Sequence, residues 1–293
     1  MKNKIIKICY IIILLITIFL TINANSKKIS SNEITDLKEN TVVIEDGKML
    51  PENDGKLVLI TAKPETEAPV KDPKFLLEVE NAYEILRSVE IYGTYVDSEG
   101  KASDKWFTST PPKSVTDKNG HTYYNSEPLI ENETYYQDVK VGDFLISGEN
   151  FNLKNQKLID VEKLPEIDAK TLSDACGIED NWCIDGKYYS MTSTYLPFEG
   201  DMRVRFSIKS LDNINEVTVL AKQNGNNLEA YKLGNKELLG IVEGKKNINE
   251  MFDEVTKSQS IIVWIIVIVI ELIIGIFVFK DVIKKDKNKT KQK

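Results

Sequence analysis

Histidine is nearly absent from this chain of 293 residues, and the common catalytic motifs are missing with it. The one histidine, His121, follows Gly120 in a polar stretch and has no serine or cysteine nucleophile motif around it. Neither an HExxH zinc motif nor a glycine-rich phosphate loop occurs. A lone histidine in such a setting is usually structural. We therefore expect no catalytic residue, no metal site and no cofactor, and a protein that is not an enzyme.

Cysteine is also scarce, with three in the chain. Cys9 lies in an apolar run near the N-terminus, where an inert apolar thiol is the simplest interpretation. Cys176 and Cys183 are candidates for a disulfide, which in an oxidising compartment would close a small loop worth about 2.5 kcal/mol. Two buried free thiols are the alternative. Zinc is disfavoured, because it needs three or four ligands and would have to recruit the distant His121.

Proline is sparse, and the middle of the chain is rich in charged and polar residues, so we expect a folded domain and no long disorder. Residues 25–260 carry 28 basic and 42 acidic residues, a net charge of −14. The two ends, with Glu271 counted among them, carry ten basic and three acidic residues, a net charge of +7. An acidic domain repels nucleic acid, which we exclude as a partner.

Long apolar runs, in contrast, occur at both ends. Ile261–Phe279 contains sixteen Ile, Val, Leu or Phe residues in nineteen, and as a helix it would be about 29 Å long, close to the thickness of a bilayer core. The first run, Ile8–Ile22, would be about 22 Å long, which is short for a span. Residues 1–24 are therefore either a cleaved secretory signal ending near Ala24 or a retained membrane anchor.

The charges that flank these runs predict the orientation of the chain. Lysines precede the first run, and seven more lie within the basic tail, residues 280–293. Short basic flanks stay in the cytoplasm, so we expect both termini there and the central domain outside the cytoplasm. That domain is predicted to span residues 25–257, with a candidate sub-boundary near 151–165.

One carboxylate lies near the middle of the predicted C-terminal span. An unpaired charge is costly there, so Glu271 is expected to be protonated or to face a partner. The polar groups that the first run offers are Tyr10, Thr17 and Thr21, and a second copy of the chain is another source. Gly275, on the same helix face, would allow another helix to approach closely. A tolerated neutral glutamic acid is the alternative interpretation.

Period-two alternation predicts the strands of the central domain. It is clearest in Met202–Ile208 and recurs in Val217–Lys222, after which Asn224-Gly225 is typical of a hairpin turn. On the polar side of the first strand, Arg203 and Arg205 are expected to form salt bridges within the acidic domain rather than to bind a ligand. Helix signals are present at Pro165–Cys176, with Gly177 as its C-cap, and in a short helix that Asn247 caps with Glu250.

Several short motifs in chain order, from roughly residue 40 to residue 265, resemble the transmembrane protein 43 family, also called LUMA. They are RSVEIY from Arg87, Trp106, GH at 120–121, VGDFLIS from Val141, GDMRVRFS from Gly200, VTVLAKQNG from Val217 and MF at 251–252. The residues that carry the resemblance are Arg87, Val89, Glu90, Tyr92, Trp106, Gly142, Phe144, Gly200, Asp201, Arg203, Val204, Phe206, Gln223 and Gly225.

The resemblance implies an N-terminal membrane helix, a large lumenal or extracytoplasmic domain, C-terminal membrane helices and a scaffolding role in membrane protein complexes. Animal members of that family are associated with the endoplasmic reticulum, the inner nuclear membrane and the lamin network. This chain departs from the pattern in two ways. It has one C-terminal run where the family has three spans, and it has Tyr92-Gly93-Thr94 where the family has Tyr-Gln-Trp. The resemblance favours retention of the first run as an anchor.

These observations predict an α+β protein, with a β-rich extracytoplasmic domain between an N-terminal and a C-terminal transmembrane helix. We expect a scaffold that organises membrane or envelope protein complexes through this domain. An extracytoplasmic sensor or ligand-binding module is the alternative. The expected partners are other membrane proteins or further copies of the chain, together with the lipid bilayer.

Overall fold

The computed structural model describes residues 10, 12–17, 29–154, 156–180, 182–191, 197–234, 236–256 and 275. Within residues 29–256 the helices are α1 (Ser31–Asn40), α2 (Ala169–Cys176), α3 (Ile248–Thr256) and a 3₁₀ turn at Pro51–Asn53. Residues 12–17 are helical as well. In the described part of the chain, no helix has both the length and the apolar character needed to cross a membrane. The predicted span Ile261–Phe279 lies outside that part, apart from Gly275.

Most of the described secondary structure is strand, which confirms the prediction of a β-rich domain. The strands are β1 (Val42–Ile44), β2 (Leu57–Ala62), β3 (Pro64–Glu65), β4 (Val70–Asp72), β5 (Leu77–Val79), β6 (Ala82–Val96), β7 (Ala102–Phe107), β8 (Ser114–Thr116), β9 (Thr122–Tyr124), β10 (Glu133–Tyr136), β11 (Val139–Val141), β12 (Phe144–Ile146), β13 (Ile159–Asp160), β14 (Cys183–Asp185), β15 (Tyr188–Ser190), β16 (Met202–Ser210), β17 (Val217–Asn224), β18 (Asn227–Glu229), β19 (Tyr231–Leu233), β20 (Lys236–Leu238) and β21 (Gly240–Glu243).

An eight-stranded sheet surrounds β17. Its order is β1-β2-β17-β18-β12-β11-β3, and β21 also pairs with β17. Alternating residues of β2 and β17 point to opposite faces, and both faces are covered by apolar groups. Ile60 and Val219 pack in one buried cluster, whereas Leu59 and Leu220 pack in another with α1 and α3. The sheet is therefore buried on both faces, which explains its nearly continuous apolar sequence.

A seven-stranded sheet is built on the pairing of β6 with β16. Its order is β10-β6-β16-β15-β14, with β7 on β6 and β13 on β16. Its inward face carries Val89, Val204 and Phe206 into a third buried cluster, which also receives Leu172 of α2. Hairpins β4–β5, β8–β9 and β19–β20 lie outside the two large sheets.

The structure confirms the strand, turn and helix-cap predictions that depend on neighbouring residues in the sequence. Met202–Ile208 lies within β16, and Gly225 has the positive φ of 58° expected in the β17–β18 turn. Helix α2 begins at Ala169 because the Asp168 side chain accepts the Thr171 N–H, so it is shorter than predicted, and it ends at Gly177 in the left-handed conformation. Asn247 and Glu250 form the predicted reciprocal caps of α3.

The segment predicted as a sub-boundary, residues 151–165, connects the cores of the two sheets. Phe151 and Leu153 pack in the first cluster, and Leu164 packs in the third. Between them, β13 pairs with β16. The segment therefore contributes to both cores. The division of the chain into anchor, domain, span and tail stays a prediction.

A buried ion pair joins hairpin β4–β5 to the seven-stranded sheet. Arg87 of β6 and Asp72 of β4 have no exposed side-chain surface, and Nη1 of Arg87 lies 2.9 and 2.8 Å from the two carboxylate oxygens. Asp72 also accepts the backbone N–H groups of Lys74 and Phe75. Burial raises the pKa of Asp72, and Arg87 opposes that effect. The arginine completes its contacts through strand β10, on the Tyr135 hydroxyl and the Glu133 carboxylate.

Replacing Arg87 with methionine is expected to lower the free energy of unfolding by about 3–5 kcal/mol, because Asp72 would remain buried without its cation. Denaturant unfolding of the full chain in mild detergent, followed by tryptophan fluorescence, measures this. The matched control is Lys71→Met, on the hairpin β4–β5 that carries Asp72. Lys71 pairs with Glu78 at the surface, where both side chains are more than half exposed, so a change of less than about 1 kcal/mol is expected. Equal losses of unfolding free energy in the two variants would show that burial does not strengthen the contribution of the Arg87–Asp72 pair.

Candidate functional site

The two central strands of the seven-stranded sheet bring many of the family-motif residues together. Register pairs Glu90 of β6 with Arg203 of β16, and Tyr92 of β6 with Trp106 of β7. Paired residues point to the same side of a sheet, so these four side chains share the face opposite to the core. We call this the outer face, and define it by Glu90, Tyr92, Trp106, Asp160, Lys187, Tyr188, Arg203 and Arg205.

Arg203 is held at the centre of the outer face by a carboxylate and two aromatic rings. Its Nε and Nη2 atoms lie 2.7 and 2.6 Å from Oε2 of Glu90. Its guanidinium carbon lies 4.3 Å from the Trp106 ring centre and 4.2 Å from that of Tyr188. Tyr92 packs edge-on against Trp106, with ring centres 5.3 Å apart. These contacts confirm the prediction of internal salt bridging for Arg203, and they fix the guanidinium plane.

Arg205 is bound much less tightly than Arg203. It forms the predicted salt bridges, with Glu90 at 3.7 Å and Asp160 at 3.8 Å, but both distances are beyond those of hydrogen bonds. Its Nε atom is buried and has no hydrogen-bond partner among the described residues. Because 32% of the side chain is exposed, the rest of the guanidinium reaches solvent. Arg205 is therefore a cation with unused donors next to a rigid aromatic and cationic group.

Asp160 closes the outer face on its far side, where it pairs with Lys187 and accepts a 2.8 Å hydrogen bond from the Ser207 hydroxyl. The hydrogen bonds from Lys187 and Ser207 hold the pKa of Asp160 below its usual value, and the same pairing raises the pKa of Lys187. The residues that define the outer face carry three cations and two carboxylates, and a third carboxylate, that of Glu162, also acts on Lys187. The charges of the outer face are therefore nearly balanced within a domain of net charge −14.

The remaining motif residues shape turns or fill the cores. Gly200 and Asp201 exchange backbone hydrogen bonds with Tyr92, which aligns the start of β16 with β6. Gly142 has a φ of 63°, and a Cβ there would lie 3.0 Å from the Cα of Gly47, so a side chain cannot fit. Gln223 is buried and donates to the Leu50 carbonyl. Their roles in the described structure are those of folding.

The lone histidine and the acidic groups form no catalytic or metal-binding constellation among the described residues. His121 is exposed in the β8–β9 hairpin and lies 3.3 Å from Asp117, which also accepts two backbone N–H groups of the turn. No group of three or more histidine, cysteine, aspartate or glutamate side chains in the described part of the chain is arranged to hold a metal ion.

Cys176 and Cys183 are not joined by a disulfide in the structure. The Cys176 thiol lies 3.7 Å from the Ser173 carbonyl, and the Cys183 thiol lies 3.6 Å from that of Ser190. Burial raises the pKa of both thiols, and nearby Asp185 adds to the effect on Cys183. Neither is therefore a reactive thiolate at neutral pH. The disulfide between them stays a prediction.

The residues predicted for the membrane are described only in part. Glu271 lies outside the described residues, so its proposed role in helix association stays a prediction. Gly275 is described, and it lies against Tyr10 of the first apolar run.

The sequence does not predict that Tyr188, Asp160 and Lys187 belong to the outer face, because they reach it from strands β13 and β15 and from the turn before β15. The alternation in β16 was the one signal that pointed to this face.

A β-rich domain with a polar outer face, in a chain with strongly apolar segments at both ends, defines the class: a membrane protein with a substantial β-rich domain. The family follows from comparison with known proteins. The sequence profile described as transmembrane protein 43 matches residues 102–285. The chain belongs to the transmembrane protein 43 family. The matched range includes Trp106, Arg203 and Gln223, while Arg87 and Glu90 lie upstream of it. No curated protein and no solved structure shows a significant match to the chain.

Acid is expected to destabilise the domain partly through Asp160. Because its folded pKa is depressed, its contribution to stability is fully present above its unfolded pKa, near 3.8, and is lost as the pH falls through the lower folded value. Denaturant unfolding between about pH 6 and pH 2 should therefore show a shallower acid loss for Asp160→Asn than for the wild type. Exposed Asp212, whose side chain contacts no described charge, provides the control Asp212→Asn, with the wild-type slope. A wild-type slope for Asp160→Asn would show that the pairing has no effect.

The burial of the two thiols predicts a specific labelling pattern. An alkylating reagent, applied without reductant, is expected to modify both rapidly in denaturant, and in the folded protein to modify buried Cys176 more slowly than half-buried Cys183. Mass spectrometry of the peptides that contain each residue measures the labelling. Modification that requires prior reduction would instead establish the disulfide.

Proposed function

We propose that this protein is a membrane-anchored scaffold that organises membrane protein complexes by docking partner proteins on the outer face of its β-rich domain. The observation that carries the proposal is the cluster of Trp106, Tyr188, Arg203 and Arg205 on that face. Tryptophan, tyrosine and arginine are the side chains that contribute most to binding at protein interfaces. Here they are partly exposed and held in place by paired strands.

Rigidity supports this role. Arg203 cannot change its orientation without leaving Glu90 and both rings, so a partner would meet a surface that is already ordered. A preordered surface lowers the entropy cost of association. Arg205 adds specificity, since its unused N–H groups form a planar fork that matches a carboxylate. No step of a reaction is assigned to these groups, and we propose that the protein is not an enzyme.

The unused donors of Arg205 identify the kind of partner. Its guanidinium lies beyond hydrogen-bond distance of Glu90 and Asp160, so it can bind a carboxylate of another protein. We propose that the occupant is an acidic polypeptide segment of another membrane protein, with a glutamate or aspartate on Arg205. The basic flanks support an orientation with both termini in the cytoplasm and the domain on the opposite side.

A sensor or ligand-binding module is the second candidate, and one cleft supports it. The cleft, of about 840 Å³, lies beside the start of α3 and combines apolar Val43 and Leu59 with Lys245 and Lys246. Its volume is in the range of small-molecule sites. It is lined by residues of β1, β2, the loop before α3 and the first turn of α3, and it has no arginine held between rings like Arg203, so the outer face is the better supported surface.

The test is photocrosslinking in intact membranes with p-azidophenylalanine at Tyr188 and a small tag after Lys293. We expect specific membrane partners to be captured, and their yield to fall about tenfold or more in Arg205→Gln, because a charge-assisted hydrogen bond contributes roughly 1.5–3 kcal/mol. The matched control is Lys232→Gln, which removes the same charge from an exposed site on β19. If the wild type and both variants captured only further copies of the protein itself, the scaffold function would be contradicted, and the sensor would become the better supported function.

A further inference from the structure

Tyr10, from the first apolar run, packs against Gly275, from the last. Gly275 is buried, and a Cβ added there would contact the Tyr10 hydroxyl and lie 2.9 Å from Cζ and 3.3 Å from Cε1 of its ring. The tyrosine ring thus occupies the space that a side chain at position 275 would need. The two ends of the chain, 265 residues apart in sequence, meet at this point.

The burial of the residues after Tyr10 is the reverse of that in a helix of a water-soluble domain. Leu14 is partly buried and Thr17 is buried, and they lie on the helix face of Tyr10, four and seven residues after it. The other faces carry large apolar side chains that are 50–60% exposed: Ile12, Ile13, Leu15 and Ile16. A helix that buries its polar face and exposes isoleucine and leucine all round it is suited to hydrocarbon and not to water.

The packing of the folded domain brings the two ends to one place. Leu37 of α1 shares a buried cluster with Met251 and Phe252 of α3, so the helix that follows the first run lies beside the helix that precedes the last. Tyr10 stands 21 positions before the start of α1, and Gly275 stands 19 positions after the end of α3. If the chain before α1 and the chain after α3 run side by side, Tyr10 and Gly275 lie at nearly equal distances from these two helices and would therefore be at the same depth.

From these three observations we propose that the first apolar segment is retained in the mature protein and pairs with the C-terminal segment inside one bilayer, with Tyr10 seated on Gly275. On this proposal residues 1–24 are the retained anchor and not a cleaved signal. Lipid provides no hydrophobic force that would bring two apolar helices together, so the pairing depends on close packing at small residues. The proposal is independent of the docking surface and goes beyond the scaffold function.

The test places p-azidophenylalanine, which is close to tyrosine in size, at position 10 of the full chain in membranes. A control carries it at Ile13, on the exposed face. A protease site inserted at Asn119-Gly120, in an exposed hairpin turn, allows the chain to be cut after irradiation. With tags on both ends, we expect the N-terminal and C-terminal fragments to remain joined at least fivefold more often from position 10 than from position 13.

A second variant tests the packing at Gly275. Gly275→Leu is expected to reduce the joined product from position 10 by fivefold or more, whereas the neighbouring Ile276→Leu, which adds no atoms, should leave it unchanged. Extraction with alkaline carbonate confirms that each variant is inserted in the membrane. Loss of the N-terminal tag from the mature protein, equal yields from positions 10 and 13, a joined product of twice the expected mass, or full yield from Gly275→Leu would each overturn the proposal.

Discussion

The buried pair of Arg87 and Asp72 is the constraint on which the seven-stranded sheet depends. Two charges without exposed surface are stable only if each meets a full set of partners, and here these come from three separate stretches of chain. Hairpin β4–β5, strand β6 and strand β10 must all be in register before the arginine is satisfied. The pair therefore selects one arrangement of these strands, and its value lies in specificity as much as in stability.

Strand β6 contributes apolar residues to the core face of that sheet and polar and aromatic residues to its outer face. Val89 and Ile91 point into the core, while Glu90 and Tyr92 point outward and meet Arg203 and Trp106. The same backbone register thus fixes the apolar packing and the outer face. A slip of one residue would turn Glu90 away from Arg203 and into the apolar core and would turn the core residues outward, which is prohibitively unfavourable. The positions of the outer charges are consequently as well determined as the core itself.

Much of the fold follows from local sequence, but the outer face does not. The alternation in β16 and the caps of α2 and α3 depend on neighbouring residues, so the sequence predicts them. Strand β7 was not predicted, because its polar residues show no apolar alternation and it forms only by pairing with β6. Two partners of Arg203, Glu90 of β6 and Trp106 of β7, lie 113 and 97 positions before it, and Tyr188 of β15 lies 15 positions before it. Such contacts are set by tertiary packing.

The position of Arg203 along β16 relates the outer face to the membrane segments. The end of this strand, at Ser210, lines a cleft of about 720 Å³ together with Glu254 of α3, the helix that leads to the C-terminal run. Arg203 lies seven residues earlier, about 23 Å along an extended strand. Arg203 is thus displaced from the helix nearest the C-terminal segment, whereas Asp160, at the other end of the outer face, follows Ile159, which lines that cleft. The proposed scaffold role needs the separation at Arg203, because a docking surface against the bilayer would be blocked by lipid headgroups, whereas one held away from α3 is open to other proteins.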